Sequence, residues 1–315
     1  SMGIKELTAV ATAAVRTASD GQGFCHEVME KTGQFIAVIS GEQEAKLSAQ
    51  GVLTGWPGAY GLVCDLGGTS LELAEISNGK VGACASAELG PLKLMDIHKK
   101  KERLEYISSQ LSHLAKSFFP QNNRLFLVGG SWRALARIDM ERCDHPLRVL
   151  HEYRMEKKSI KELKYFIKDH GLENIAKQCS ISASRIMFIP YAMEILEKLC
   201  SVFKPKDIAI SSYGIREGML YEKMPQMLKD RDPLIEACRF AEAKDSRVPG
   251  AGKALFNFVK PLFSNGKESQ TRLIQAACYL HDVSWRAHPD YRHEACFDYI
   301  TRANLGGLKH SERVF

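Results

Sequence analysis

Two hydrophobic periodicities alternate along the first two thirds of the chain. Short apolar runs of strand type are each followed by a stretch in which apolar residues recur with helical spacing. Strands are predicted at Leu7–Ala14, Phe35–Ile39, Leu62–Cys64, Leu71–Ala74, Val81–Leu89, Arg124–Val128 and Asp207–Ser211. Helices are predicted at Gly23–Gly33, Glu42–Gly51, Lys100–Phe119, Trp132–Met140, Ile160–His170, Pro190–Phe203 and from Gly214 onward. This alternation predicts an α/β domain.

The last third of the sequence follows a different pattern. From about residue 224 to residue 315 almost no strand signal remains, and the apolar residues keep helical spacing. A separate helical domain is therefore predicted to start near Pro225.

The segment YGLVCDLGGTSLELAEI, residues 60–76, predicts a strand, a glycine turn and a second strand. An apolar run brings Asp65 to a tight turn whose residues are Gly67, Gly68, Thr69 and Ser70. Glycines allow a ligand to approach backbone N–H groups, and successive N–H groups with two hydroxyls form a concave anion site. An acid beside such a phosphate site suits hydrated Mg²⁺. The same residues also dominate turns that bind nothing, so both interpretations remain open.

A second glycine corner follows the strand Arg124–Val128. Gly129 and Gly130 precede Ser131, which is predicted to cap the next helix, with Arg133 in its first turn. Helix N-termini bind anions, although Gly-Gly is also common where a strand and a helix pack closely.

Two acids and one arginine complete the candidate site. Glu42 and Glu44 lie at the start of a predicted helix, where acids favour the helix dipole, while one of them as a general base is the functional alternative. Arg16 follows a strand of small residues and has the fork geometry that binds phosphate oxygens, although a surface arginine is equally ordinary.

Composition narrows the function classes. The chain has 315 residues, 45% of them hydrophobic and 25% charged, and a net charge of +6, which favours an anionic ligand but is too weak to imply nucleic acid. No apolar run is long enough to span a membrane, and no signal peptide is evident at Ser1. Nine cysteines, an odd number scattered over the chain, indicate reduced thiols and a cytoplasmic protein.

The helical third contains two patterns that resemble metal sites. His281-Asp282 is typical of HD phosphohydrolases, but no histidine occurs between His170 and His281, so the ligand set is incomplete. Cys278-x-x-His281 and His293-x-x-Cys296 have zinc-like spacing, which two packed helices also produce.

Several of these features occur in the order typical of a known family. Over residues 7–221 the chain resembles the exopolyphosphatase/guanosine pentaphosphate phosphohydrolase family, of the acetate kinase, sugar kinase, Hsp70 and actin superfamily. The segments that carry the resemblance are Ala11–Arg16, Ile39–Ala45, Asp65–Leu73, Leu89-Gly90, Leu127–Ala136 and Gly214–Leu220.

The resemblance implies a fold and a division into domains. It implies an α/β protein in which RNase H-like (actin-like ATPase) domains face a cleft, followed by an all-helical HD-like domain. The expected boundaries are 1–54 for the remainder of the first RNase H-like domain, 55–223 for the second and 224–315 for the helical domain. A homodimer is expected.

The resemblance also implies roles for individual residues. Glu44 matches the catalytic carboxylate that activates water, Glu72 matches a second acid, and Asp65 would hold Mg²⁺ through water. The residues implied to bind phosphate are Arg16, Gly67, Gly68, Thr69, Ser70, Gly129 and Gly130.

The sequence departs from the family pattern in four places. Thr69 replaces a third glycine, Ser212-Tyr213 stands where an Asp is common, and the HD-like part lacks its upstream histidine. The first phosphate loop of the family, Asp-x-Gly-Ser, is absent, so the chain, which starts Ser1-Met2-Gly3, is expected to be a fragment.

The function that the resemblance implies for these residues is Mg²⁺-assisted release of terminal orthophosphate from inorganic polyphosphate. Guanosine pentaphosphate hydrolysis is the alternative within the class. A non-catalytic module that binds polyphosphate or an alarmone, and a kinase-like transfer to a small molecule, are alternatives from other classes.

Overall fold

A computed structural model describes residues 6–118, 123–264 and 266–315. The strands are, in chain order, β1 (Ala9–Ala11), β2 (Ile36–Val38), β3 (Gly61–Leu66), β4 (Leu71–Ser77), β5 (Lys80–Ala87), β6 (Arg124–Val128), β7 (Arg154–Met155) and β8 (Asp207–Ile210).

Helices alternate with these strands up to residue 223. They are α1 (Ala13–Thr17), α2 (Gly21–Thr32), α3 (Gly41–Gly55), α4 (Pro91–Met95), α5 (Lys100–Ala115), α6 (Gly130–Arg142), α7 (Lys157–His170), α8 (Leu172–Gln178), α9 (Ala183–Ile186), α10 (Ile189–Phe203) and α11 (Ile215–Lys223).

The rest of the described chain contains helices and no strand. These helices are α12 (Gln226–Lys229), α13 (Pro233–Asp245), α14 (Ala251–Val259), α15 (Glu268–Leu280), α16 (Arg292–Arg302) and α17 (His310–Val314), with 3-10 turns at Lys260–Phe263 and Pro289–Tyr291. None of the helices in the described residues has the length and apolar character needed to cross a bilayer.

The strands form two sheets. Strands β1 and β2 pair in parallel, and the other six form one sheet in the order β5-β4-β3-β6-β8-β7. Strand β3 is antiparallel to β4 and parallel to β6, and β6 is parallel to β8. The carboxyl ends of the three parallel strands therefore meet at one edge of the sheet, where ligands commonly bind in α/β proteins.

Helices cover both faces of the larger sheet. All six residues of β3 are buried, which explains why its sequence is a continuous apolar run rather than an alternating one. One face packs against α3 and α11 through Ala49, Leu53 and Val63, among others. The other packs against α5, α6 and α10. A third apolar cluster, around Leu234 and Tyr279, holds the C-terminal helices together.

Most predicted elements are present, and the short helices α4, α8 and α9 are additional. The strand predicted over Leu7–Ala14 is confined to Ala9–Ala11, because the chain turns at Thr12 into helix α1. The predicted helix Lys100–Phe119 ends at Ala115. Two segments lie outside the described residues. They are residues 1–5, which include Ser1-Met2-Gly3, and residues 119–122, which include Phe119, the predicted end of the helix. The hydrophobic pattern does not predict strand β7, because a strand of two residues is too short to show an alternation of apolar and polar positions. All nine cysteines are free.

Candidate active site

Glu44 is placed by the start of helix α3. Ser40 caps this helix: its Oγ accepts from the Gln43 N–H at 3.2 Å, and the Gln43 side chain accepts from the Ser40 N–H at 3.0 Å. This capping box fixes the helix start. Glu42 then points to solvent, whereas Glu44 is only 5% exposed. A dipole contact at the surface therefore explains Glu42 but not Glu44.

Arg16 is the ion-pair partner of Glu44. The Arg16 Nη1 lies 3.3 Å from Glu44 Oε2 and donates to the carbonyl of Ile39 at 2.6 Å. Burial raises the pKa of Glu44, and the Arg16 guanidinium opposes that rise. Arg16 lies in helix α1 and contacts the Glu44 carboxylate, and its role in binding phosphate stays a prediction.

Asp65 and Glu72 face each other across β3 and β4. They are register partners in the antiparallel pair, so both side chains lie on the face covered by α3. Burial raises the pKa of Asp65 to about 6, partly offset by a hydrogen bond from Ser48, with the nearby charge of Glu44 adding to the rise.

Glu72 is the most deeply buried of the three acids, at 1% exposure. Burial, then the charge of Glu44, raises its pKa to about 8. The Ser86 hydroxyl donates to Glu72 Oε1 at 2.9 Å, but Oε2 is buried with no hydrogen-bond partner in the described residues. A buried unpaired carboxylate oxygen is unusual in a folded protein and is typical of functional sites.

The glycine turn lies beside these acids at the end of β3. The Gly67 N–H donates to the Ser70 carbonyl at 3.0 Å and so closes the turn, whereas the N–H groups of Gly68, Thr69 and Ser70 donate to no described residue. Neither glycine has a positive φ, so the turn itself does not require glycine. A Cβ atom at Gly68 would lie 3.1 Å from Cδ1 of Leu92, so the bare glycine lets the Leu92 side chain pack against the turn.

Ser70 supplies a further unused group. Its Oγ is buried and makes no hydrogen bond of ordinary geometry in the described residues, although the hydroxyl lies close enough to Glu72 to lower the pKa of that acid. The loop thus offers free donors on the same side as the carboxylates.

The second glycine corner adjoins the first. Gly129 has φ +120° and packs so closely on β3 that a Cβ atom there would lie 2.6 Å from the Leu66 carbonyl oxygen, which is why only glycine fits. The prediction that Ser131 caps helix α6 is wrong: the helix begins at Gly130, and Gly129 is the cap residue, so the Ser131 side chain is buried inside the first turn. Arg133 lies near the helix start, as predicted, and donates to the Gly129 carbonyl.

Two further arginines, which the sequence motifs did not mark as site residues, lie near the second glycine corner. Arg185 of α9 approaches Gly130, since a Cβ atom there would lie 3.6 Å from its Nε. Arg185 and Arg216 are both exposed, form no ion pair within the described residues, and lower the pKa of the half-buried Arg133 after the larger effect of burial. The segment GIREGML does contain Arg216, but nothing local marks Arg185, because it reaches the site through tertiary packing.

The fit of a magnesium ion can be judged from these groups. Within the described residues no three His, Cys, Asp or Glu side chains form a ready-made metal cluster. Mg²⁺ commonly uses one or two carboxylates together with water and substrate phosphates. The orphaned oxygen of Glu72 and the open side of Asp65 suit that mode of binding.

The two metal-like patterns of the helical third are accounted for by packing. Asp282 forms a bidentate pair with Arg247 at 2.8–3.1 Å. His281 Nδ1 donates to the Cys278 carbonyl at 2.7 Å, and Cys296 Sγ to the Leu280 carbonyl at 3.4 Å. An arginine thus neutralises the acid of the HD pair.

Two family models match the chain. The "Ppx/GppA phosphatase family" model matches residues 1–227, and the "Exopolyphosphatase, C-terminal" model matches residues 246–315. A curated relative from Aeromonas hydrophila, named guanosine-5'-triphosphate,3'-diphosphate pyrophosphatase, is 22% identical over 300 residues, 88% of this chain and 58% of the relative. A relative of the same name from Aeromonas salmonicida is 23% identical, with the same coverage. The chain therefore spans less than two thirds of these relatives.

Solved structures agree on the fold. An exopolyphosphatase from Cytophaga hutchinsonii has a TM-score of 0.62 at 22% identity, covering 68% of this chain and 73% of that one. The Aquifex aeolicus Ppx/GppA enzyme has a TM-score of 0.59 at 24% identity, covering 70% and 76%. The predicted fold class, an actin-like α/β region followed by a helical domain, is confirmed. Since the first family model covers well over half of the sequence, the chain belongs to the Ppx/GppA phosphatase family.

Proposed function

We propose that this chain releases terminal orthophosphate from inorganic polyphosphate by attack of water, with Mg²⁺ as its cofactor. One observation carries the proposal: three buried carboxyl groups, Glu44, Asp65 and Glu72, come from separate elements to one place, and each has a raised pKa. They lie beside a loop with free N–H groups. Acids with raised pKa values grouped at a cleft are typical of acid–base catalysis.

Each group of the site has a separate role in the proposed reaction. The free amides of Gly68, Thr69 and Ser70 hold oxygens of the terminal phosphate, assisted by the start of α6 at Gly130. Glu44 orients a water molecule and accepts its proton. The water oxygen bonds to the terminal phosphorus, the bridging P–O bond breaks, and the shortened chain leaves with the electron pair.

Charge around the reacting phosphate is balanced by nearby cations. Arg16 holds Glu44 and neutralises charge that develops on the phosphate, because phosphoryl transfer depends mainly on positioning and charge stabilisation. Mg²⁺, held by Asp65 through water with Glu72 beside it, would add positive charge against the phosphate oxygens. The exposed Arg185 and Arg216 suit a long polyanion that extends from the site.

The test is orthophosphate release from long-chain polyphosphate with Mg²⁺. The Glu44→Gln variant is expected to lose about 10²-fold or more of the wild-type rate, because the amide cannot accept the proton. Glu42→Gln is the matched control: it removes an exposed acid two residues earlier in the same helix and should leave the rate unchanged. Near-normal turnover in Glu44→Gln would refute the assignment.

Guanosine pentaphosphate is the second candidate substrate, and the names of the two Aeromonas relatives favour it. It carries the same terminal phosphoanhydride, so the same residues would act. Strong inhibition of polyphosphate hydrolysis by guanosine pentaphosphate would indicate that it occupies the same site. Binding of either compound without phosphate release would favour a non-catalytic sensor instead.

A further inference from the structure

Ser48 is a buried residue of the site to which the proposed reaction gives no role. It lies in α3 one turn after Glu44, so the two side chains share a helix face. Ser48 is fully buried, and its Oγ donates to Asp65 Oδ2.

The other oxygen of Asp65 is left open. Asp65 Oδ1 accepts no hydrogen bond from any described residue. It lies next to Gly129, where a Cβ atom would be 3.3 Å away. The Ser48 hydroxyl thus holds Oδ2 of Asp65, and the absence of a side chain at Gly129 leaves space beside Oδ1.

We propose that Ser48 is a positioning residue, which fixes Asp65 so that Oδ1 stays turned toward the bound cation. The inference rests on the proposed role of Asp65 toward Mg²⁺. A held oxygen stops the carboxyl group from rotating, and partners of this kind commonly contribute 10–100-fold to metal affinity. Because Ser48 and Glu44 share α3, this contact also sets the base and the metal ligand in one fixed relation.

The competing explanation is that Ser48 only satisfies a buried carboxylate. A hydroxyl with that role would influence stability, but the metal affinity would stay the same in its absence. Metal affinity therefore separates the two explanations.

The experiment measures Mn²⁺ binding to the whole chain, without substrate, by electron paramagnetic resonance. Ser48→Ala is expected to bind Mn²⁺ about 10-fold more weakly than the wild type. Thr54→Val is the matched control: the Thr54 hydroxyl lies on the same helix but donates only to the Gln50 carbonyl, at 3.2 Å, so Mn²⁺ affinity should not change. Asp65→Asn should bind most weakly.

Ser48→Cys is measured as a second variant, in case Ser48→Ala does not fold. Its S–H group is somewhat larger and a weaker donor than the hydroxyl, so intermediate affinity is expected. Wild-type affinity in folded Ser48→Ala or Ser48→Cys would overturn the proposal, as would a wild type that binds no Mn²⁺. Phosphate release is measured separately: Mn²⁺ binding that depends on Ser48, without hydrolysis of polyphosphate, would refute the proposed function and leave the role of Ser48 intact.

Discussion

The three buried acids of the candidate site lower the stability of the folded protein when they are charged. Burial disfavours the charged forms of Glu44, Asp65 and Glu72, and the charge of Glu44 adds to this effect at Asp65 and Glu72. The fold keeps them there although neutral side chains would be easier to bury. Buried acids with raised pKa values are typical of functional sites.

Replacing Glu72 by Gln should therefore stabilise the protein at high pH. The folded-state pKa of about 8 lies above the ordinary 4.5, so Glu72 contributes stability that is complete below pH 4.5 and lost as the pH rises through 8. In EDTA at pH 8.5, Glu72→Gln should raise the midpoint of thermal unfolding by about 3 °C or more, and at pH 4.5 by much less. Circular dichroism provides the measurement.

Glu105→Gln serves as its control, because Glu105 is exposed on α5 and should leave the midpoint unchanged at both pH values. A lower midpoint for Glu72→Gln at both pH values would show that the buried carboxylate is stabilising after all.

Sequence alone indicates which of these residues lie in motifs, but not their surroundings. Asp65 and the glycine turn are recognisable because the motif is local. The burial of Glu44 and the contacts of Ser48 and Arg185 depend on packing between distant segments, which no local pattern encodes. The cap at Ser131 was predicted wrongly because a glycine with positive φ can end the preceding loop without a side-chain cap.

At the level of elements, the crossing of α3 and α11 positions Glu44, the proposed catalytic carboxylate. Both helices use glycine at the crossing. A Cβ atom at Gly218 would lie 1.8 Å from the Leu47 carbonyl oxygen, and one at Gly51 would lie 2.1 Å from the Gly214 carbonyl oxygen. The hydrophobic pattern predicts both helices, but the closeness of their contact appears only in the fold.

Gly218→Ala should separate these helices. The added methyl group meets backbone that cannot move freely, so we expect a loss of about 3 kcal/mol in the free energy of unfolding by urea. Phosphate release should also fall, since α3 carries Glu44.

The control is Gly23→Ala in helix α2, where nothing lies within 4 Å of the added Cβ atom. This change should stabilise the protein by about 0.5–1 kcal/mol, because alanine favours a helix over glycine. Equal stability of Gly218→Ala and the wild type would contradict the proposed tight crossing.

At the level of the whole molecule, α17 joins the helical part to the α/β part through three histidines. His310 Nε2 donates to the His151 carbonyl at 3.0 Å, so its Nδ1 is the acceptor for His145 Nε2, 2.8 Å away. The His151 ring packs between Trp56, at the end of α3, and Tyr213. The far end of α3, the helix that carries Glu44, is thus held by the packing of Trp56 against His151, the residue whose carbonyl binds His310.

This junction should weaken in acid. Burial is the main cause that lowers the pKa values of His145, His151 and His310. The charge of Arg148 lowers the pKa of His145 further, and the charge of Arg313 lowers those of His151 and His310. Asp139, near His145, and Glu152, near His310, oppose the effect. Because the folded pKa values lie below the ordinary 6.5, the junction contributes full stability above that pH and loses it as the pH falls below.

His310→Gln should therefore reduce the acid sensitivity of the fold. The free energy of unfolding by urea, measured at pH 7.5 and 5.5, should fall less between these values in His310→Gln than in the wild type, because one histidine no longer has to stay neutral. The raised pKa values of Asp65 and Glu72 act in the opposite direction, but they are common to both proteins and cancel in the comparison. His113→Gln, at an exposed position of α5, should keep the wild-type fall. An equal fall in all three proteins would show that protonation at the junction is not coupled to folding, and that α17 is held by its apolar and Arg313 contacts alone.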